Sequence, residues 1–287
     1  MTFTGQAYAL GAGTVINAIA TWKGAAFGVD LKTFADVELT KESSSFIGTI
    51  EGVPQGDTTL IERSMELVLE HFGIEMGGTV VTRSEIPLAS GLKSSSAAAN
   101  ATILAALDAL GESLEPLDAV KMGVRAAKDA GVTITGAFDD ACASFFGGIV
   151  VTDNRTNELV KRTEKEMDVV IFAPDRQSFS SQTNVHNSEL LAPWVDMAYD
   201  LALDGEYEKA MTLNGFLYCG ALGFSTDVMM EALKCGVKGV SLSGTGPAYS
   251  ALVDRKMADT LTKVWEDLGT SGKVINTKIN NEGLTKP

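Results

Sequence analysis

The sequence predicts an α+β fold in two units, residues 1–160 and 161–287. Three observations lead there. The chain has 287 residues, 45% of them hydrophobic, enough for two sizeable cores. The first half groups strands ahead of helices, while the second reads strand, helices, strand, strand, helix, strand. A polar, charged run from Asn154 to Lys165 separates them.

Strand-like runs come first, near 3–10, 13–20, 25–30, 34–39 and 45–51. Asp57 then stands as an N-cap. Leu60, Ile61, Met65, Val68, Leu69 and Phe72 form one helical stripe that Gly73 stops. A strand over 79–83 leads into a Pro/Gly/Ser turn. A helix over 95–110 carries Ile103, Leu104, Leu107 and Leu110 and ends at Gly111. Pro116 opens a further helix that ends at Gly131, and a loop covers Thr133 to Asp140 before a strand at 149–152. The second unit has strands at 168–173, 239–242, 248–253 and 273–279. Its helices lie at about 188–203, 207–221, 226–235 and 256–268. With its first helical layer enlarged, that order is the ferredoxin-like split β-α-β-β-α-β unit.

Bulk properties exclude several function classes. A net charge of −14 argues against nucleic acid or an anionic membrane as partner. It leaves room for an anionic substrate, because a helix N-terminus acts locally. The three cysteines, Cys142, Cys219 and Cys235, have no CxxC spacing, which predicts no disulfide framework or zinc site and a reducing cytoplasm. His71 and His186 are isolated, and His71 sits at a helix C-terminal end, where the dipole favours it. Residues 1–22 carry no charged side chain, but without a basic start they read as buried strands, not a targeting or membrane segment.

Four stretches could carry chemistry. No Walker loop, HExxH, EF-hand loop or GxSxG occurs. The first stretch is Pro87-Leu88-Ala89-Ser90-Gly91-Leu92-Lys93-Ser94-Ser95-Ser96-Ala97. Small residues and serines at a helix start let a phosphate approach unpaired backbone N–H groups, and a serine hydroxyl can bind Mg²⁺. An ordinary Ser-capped core helix would show the same serines. The second is Ser243-Gly244-Thr245-Gly246-Pro247, a turn between apolar strands: either a hairpin connection or a loop closing on a ligand. The third holds Asp139 and Asp140 in an apolar stretch ending at Gly147-Gly148. One carboxylate there becomes a desolvated proton acceptor, or one caps a turn beginning at Ala141. The fourth, Thr14 to Ala18, reads by itself as a buried strand.

Together these turns resemble the three motifs of the GHMP kinase superfamily. Its middle motif, Pro-x-x-x-Gly-Leu-Gly-Ser-Ser-Ala-Ala, is matched by Pro87, Gly91, Leu92, Ser94 and Ser95; Lys93 replaces a glycine and Ser96 an alanine. Its last motif, Ser-Gly-x-Gly-Pro, is matched at Ser243 to Pro247. Its acidic residue seven positions before a Gly-Gly pair is Asp140. Ala9 to Ala18 match the first motif weakly. Within the superfamily, Gly-Leu-Lys-Ser-Ser-Ser-Ala and Gly-Ala-Phe-Asp-Asp-Ala are similar to the archaeal-type shikimate kinase family. A lysine common in the first motif of mevalonate kinases is missing, and Asp140 stands where homoserine kinases commonly have Asn.

The resemblance implies an N-terminal domain like domain 2 of ribosomal protein S5 and a ferredoxin-like C-terminal domain. It implies transfer of the γ-phosphate of ATP, with Mg²⁺, to the 3-hydroxyl of shikimate. Homoserine or mevalonate is the alternative acceptor, and a non-catalytic nucleotide sensor is the alternative of another class. It assigns ATP binding to Pro87, Leu88, Ala89, Ser90, Gly91, Leu92, Lys93, Ser94, Ser95, Ser96 and Ala97, with Ser95 on the metal. Asp140 would be the base, and Ser243, Gly244, Thr245 and Gly246 the closing loop. Asp139 and Arg176 are substrate candidates. Arg176 would read the carboxylate, with Lys23 and Arg83 behind it.

Overall fold

The computed structural model describes residues 1–87, 90–175 and 186–284. Two long strands organise the first half. β1 (Thr2–Ile16) and β2 (Lys23–Thr40) run antiparallel along their whole length. The sequence splits each of them in two. The structure keeps them whole because register shifts at Leu10/Gly11 and Thr14/Ile16 absorb the interruptions as bulges. Residues 17–20, expected as strand, form a turn instead. β3 (Phe46–Ile50) and β4 (Gly77–Ser84) pair in parallel. β4 joins one stretch of β2 and β5 (Ile149–Asp153) the other, and β6 (Glu158–Thr163) pairs with β5 at the sheet edge.

Helices cover one face of this sheet. α1 (Thr59–Phe72) is capped by Thr58, one residue beyond the expected Asp57; the Asp57 carboxylate instead accepts from the Thr59 N–H at 3.0 Å. Gly73, at φ 65°, stops it as expected. α2 (Ser94–Leu110) lies close on β1, because its alanines face Gly5, where a Cβ would overlap the helix backbone at Ala105 and Ala109. Close approach between small residues thereby sets where the α2 N-terminus points. α3 (Pro116–Asp129) and α4 (Phe138–Phe146) pack beside it. α4 starts three residues earlier than the expected turn at Ala141, with Ala137 as its N-cap, so Asp139 and Asp140 both lie in its first turn and neither caps it.

The second half is a four-stranded antiparallel sheet in the order β10-β7-β9-β8. Its strands are β7 (Asp168–Pro174), β8 (Gly239–Leu242), β9 (Tyr249–Val253) and β10 (Gly272–Lys278). Between β7 and β8 come α5 (His186–Glu189), α6 (Ala192–Leu203), α7 (Tyr207–Leu222) and α8 (Asp227–Lys234); α9 (Arg255–Glu266) precedes β10. This is the expected ferredoxin-like order. The run from Asn154 to Lys165, expected to hold the boundary between the units, carries β6, whose residues alternate between exposed and half-buried. Few apolar residues are needed on such an edge strand, so composition hides it. We propose that the two units divide between Thr163 and Asp168, where one sheet ends and the other begins, and not at residue 160.

The chain then returns to its first half. Ile279 bridges Val29, Asn280 donates to the Gly28 carbonyl, and the Gly148 N–H donates to Asn280 at 2.7 Å. The Leu284 N–H reaches the Phe145 carbonyl at 2.9 Å, at the C-terminal end of α4. A Cβ on Gly147 would collide with Asn280 and Gly283, so the Gly-Gly pair is the seat of this strap.

Candidate active site

An open cleft lies where the start of α2, α4, the turn after β1 and the β8–β9 loop meet. Asn17, Lys93, Asp139, Asp140, Gly244 and Thr245 line it, with Thr133, Ile134 and Thr135 on the opposite wall. Sequence motifs about 230 residues apart, at Thr14 and Gly244, thus share one surface.

The N-terminus of α2 adjoins the cleft through Lys93; Ser94, Ser95 and Ser96 are not among the residues that line it. The N–H groups of Ser94, Ser95 and Ser96 lie in the helix's first turn, before the first intrahelical bond from Ala97 to the Lys93 carbonyl. No acidic side chain occupies that turn. Such an end favours an anion, because unpaired N–H groups and the helix dipole both face it. Ser95 is exposed and Ser94 and Ser96 half-buried, so the hydroxyls remain within reach of a ligand. Of the remaining turn residues, Ala97 and Leu92 are core, and the Ser90 hydroxyl donates to the Pro87 carbonyl at 2.7 Å. Leu88 and Ala89 lie outside the described residues.

Lys93 holds the junction. It is the N-cap of α2 in the left-handed region, φ 66°, which costs a non-glycine residue about 1–2 kcal/mol. Its ammonium meets Asp140 Oδ2 at 3.0 Å, with both side chains about nine-tenths buried. Asp140 Oδ1 is buried with no hydrogen-bond partner. Burial pushes this carboxyl up to about 7; the neighbouring Asp139 charge adds to the rise and Lys93 opposes it.

The β8–β9 loop braces the turn before α2. The Ser243 hydroxyl donates to the Gly91 carbonyl at 2.9 Å, and the Ala248 N–H donates to that of Ser90. Gly91, at φ 86°, packs so closely on Ser243 that a side chain there would overlap its carbonyl. The N–H groups of Ser243, Gly244 and Gly246 are taken by Ala248, Thr14 and Ser243 respectively, so the loop props the serine turn with N–H groups already engaged.

Thr14 and Asn17, from the stretch that reads by itself as a buried strand, tie the two halves together with Asn214 and Tyr218, which sequence reading missed. The Thr14 hydroxyl accepts from Gly244, and Asn17 Nδ2 donates to the Gly244 carbonyl at 2.9 Å. Asn214 Oδ1 receives the Asn17 N–H, and the Tyr218 hydroxyl donates to the Asn17 carbonyl. The signal was there in part: Asn17 is a polar residue directly after β1, whose residues from Ala9 to Ile16 are all buried.

The cation candidates fare differently. Arg176 lies outside the described residues. Lys23 pairs with Asp196 at 2.9 Å and lies over the Tyr199 ring, and Arg83 stacks on Phe34; neither lines the cleft. Among the described residues of the lining, Lys93 is the sole cation.

Known proteins share this plan. A family profile described as GHMP kinases N terminal domain matches residues 59–148, from α1 to the Gly-Gly pair. A protein named shikimate kinase from Methanococcoides burtonii is 98% identical over 286 residues, covering 100% of each chain to the nearest per cent. One of the same name from Methanosarcina acetivorans is 67% identical, covering 98% of this chain and 96% of that one. In the crystal structure of homoserine kinase from Cytophaga hutchinsonii, 20% identical, the same fold covers 98% of this chain and 96% of that one with a TM-score of 0.78. With near-identity across the full length, the chain belongs to the GHMP kinases, in the archaeal-type shikimate kinase family.

Proposed function

We propose that this chain uses ATP to phosphorylate the 3-hydroxyl of shikimate, giving shikimate 3-phosphate and ADP. The observation that carries phosphoryl transfer is the Asp140 carboxylate. It lines the cleft, keeps one buried oxygen without a partner, and changes protonation near neutral pH. A base so poised accepts a hydroxyl proton at its working pH. The acceptor's identity is supported by the name the full-length relatives bear.

When bound, ATP would supply the phosphoryl group and Mg²⁺ would neutralise charge on it. The first turn of α2 fits that anion, with Ser95 offering an oxygen to the metal. Lys93 would orient Asp140 through Oδ2, leaving Oδ1 for the acceptor, and set a positive charge beside the phosphates. Thr133 and Thr135 accept N–H bonds from Gly136 and Ala137, which leaves their hydroxyl protons to donate to a hydroxyl-rich acceptor. Arg176 is our candidate for the acceptor's carboxylate. Asp139 lines the cleft, but its Oδ1 is already bonded by Asn154, which argues against a substrate contact through that oxygen. The free cysteines suit a reducing cytoplasm, and no described helix is long and apolar enough to cross a membrane.

A panel of shikimate, homoserine and mevalonate with Mg-ATP tests the reading. Turnover should be greatest with shikimate. Preference for another acceptor would overturn the substrate assignment, and ATP binding without turnover on any of them would indicate a sensor.

A further inference from the structure

Asp139 and Asp140 are chain neighbours, both buried, in one helical turn, yet their surroundings differ. Asp140 meets Lys93 with one oxygen and nothing with the other. Asp139 is held on two sides by one residue, Asn154 in the turn after β5. Asn154 Nδ2 donates to Asp139 Oδ1 at 2.7 Å, and Asn154 Oδ1 accepts the Asp139 backbone N–H at 3.2 Å. That amide is fixed in turn. The Thr152 hydroxyl donates to Asn154 Oδ1 at 2.8 Å, and the Asn154 N–H reaches the Trp22 carbonyl at 2.7 Å. Asn154 is 1% exposed and Thr152 wholly buried. The Asp139 carboxylate rests over Gly24 of β2, where a Cβ would come within 2.6 Å of its carbon. The space for the carboxylate therefore exists only because position 24 lacks a side chain.

We propose that Asn154, with Thr152 behind it, is a positioning residue that holds Asp139 as a fixed carboxylate beside Asp140, so that Asp140 alone exchanges the proton in catalysis. This rests on the kinase reading of the cleft. Two adjacent buried carboxylates tend to share one proton, because like charges so close cannot both ionise freely. A hydrogen-bond donor on one of them breaks the tie, since a donor favours the charged form of the group it serves. Asn154 supplies that donor, and an amide cannot itself take the proton. The other titratable groups around the pair are Lys93 from α2, Tyr218 from α7, and Cys142 on α4 with Lys121 of α3 behind it. Of these only Lys93 touches a carboxylate of the pair, and it touches Asp140.

The experiment compares wild type with Asn154→Leu, Asp139→Asn and Thr152→Val, reading the side-chain carboxyl carbons by ¹³C NMR in the ligand-free protein and the pH profile of kcat/KM. In wild type the Asp140 carbon alone should titrate near neutral pH. In Asn154→Leu the carbons of both aspartates should move together over that range, and kcat should fall about tenfold while KM for ATP stays unchanged. Asp139→Asn removes the neighbouring charge, so the acid limb of kcat/KM should move down by roughly one pH unit. Thr152→Val leaves Asn154 in place with one bond fewer and should show the Asn154→Leu behaviour at smaller amplitude; it carries the test if the leucine variant does not fold. A folded Asn154→Leu protein, or Thr152→Val in its stead, in which Asp140 still titrates alone would overturn the proposal, as would an unshifted acid limb in Asp139→Asn. The NMR arm needs no acceptor, so a wrong substrate would leave it readable and would show up separately, in wild-type turnover.

Discussion

One lysine and one carboxylate decide most of what the cleft can do. Asp140 is desolvated enough to sit near neutrality, and Lys93 keeps it from rising further. Asp140→Asn should therefore bind nucleotide normally and lose roughly 10²–10⁴ in turnover, read by steady-state kinetics beside a nucleotide titration. Lys93→Ala should act in the opposite direction from Asp139→Asn. Losing the cation raises the Asp140 carboxyl, so the acid limb of the rate profile should move to higher pH. An unmoved limb in a folded variant would show that the 3.0 Å pair does not govern the base. Both residues were legible in the sequence, Asp140 from its distance to Gly147 and Lys93 as a departure from a glycine position. The direction of Lys93 was not, since a lysine in a left-handed cap is as free to face solvent until the buried partner is seen. Asn154 was illegible for the same reason. An isolated asparagine after a strand looks like turn chemistry, and nothing in its neighbours points back to Asp139.

At the scale of elements, the start of α2 and the β8–β9 loop work as one unit. Hydroxyl and amide groups of the loop are spent holding Gly91 and Ser90, while no side chain caps the start of α2. Ser95→Ala should keep the fold, since losing a hydroxyl near a helix start costs about 0.5–2 kcal/mol at most. It should weaken Mg-ATP use, seen as a higher Mg²⁺ concentration at half-maximal rate. An unchanged Mg²⁺ dependence would remove Ser95 from the metal. Helix ends marked by glycine or proline were easy to place: Gly73, Gly111 and Pro116 fall where expected. Strand ends were harder. β1 and β2 bend through bulges without breaking, and bulges leave no mark in hydrophobic alternation beyond an apparent gap.

Across the whole molecule, the cleft is made by joining two sheets, and the seam is polar. Asn17, Thr14, Asn214 and Tyr218 exchange hydrogen bonds between the first-half turn and the second-half helices. Stability also carries the signature of the site. Asp140 has a folded pKa of about 7 against an ordinary 3.8, so between those values the folded state holds a proton that the unfolded chain releases. That contribution is complete below about pH 3.8 and is lost as pH rises through 7. Thermal melts of wild type against Asp140→Asn should thus show the variant gaining relative stability from pH 5 to pH 8; a constant difference would contradict the raised carboxyl. The two-unit plan and its ferredoxin-like half were readable because element order survives small errors in boundaries. β6 was not, because an edge strand of six residues can be built from polar ones.

The strap at residues 279–284 has a consequence in time. A chain is made from its amino end, and α4, the serine turn and the β8–β9 loop all leave the ribosome before these residues do. The far end of α4 has its Phe145 carbonyl, and the Gly-Gly pair its neighbours, only once Asn280 to Leu284 arrive. A nascent chain can bring the start of α2 and the β8–β9 loop together before the strap exists, while α4 stays unclamped at one end until residues 280–284 have emerged.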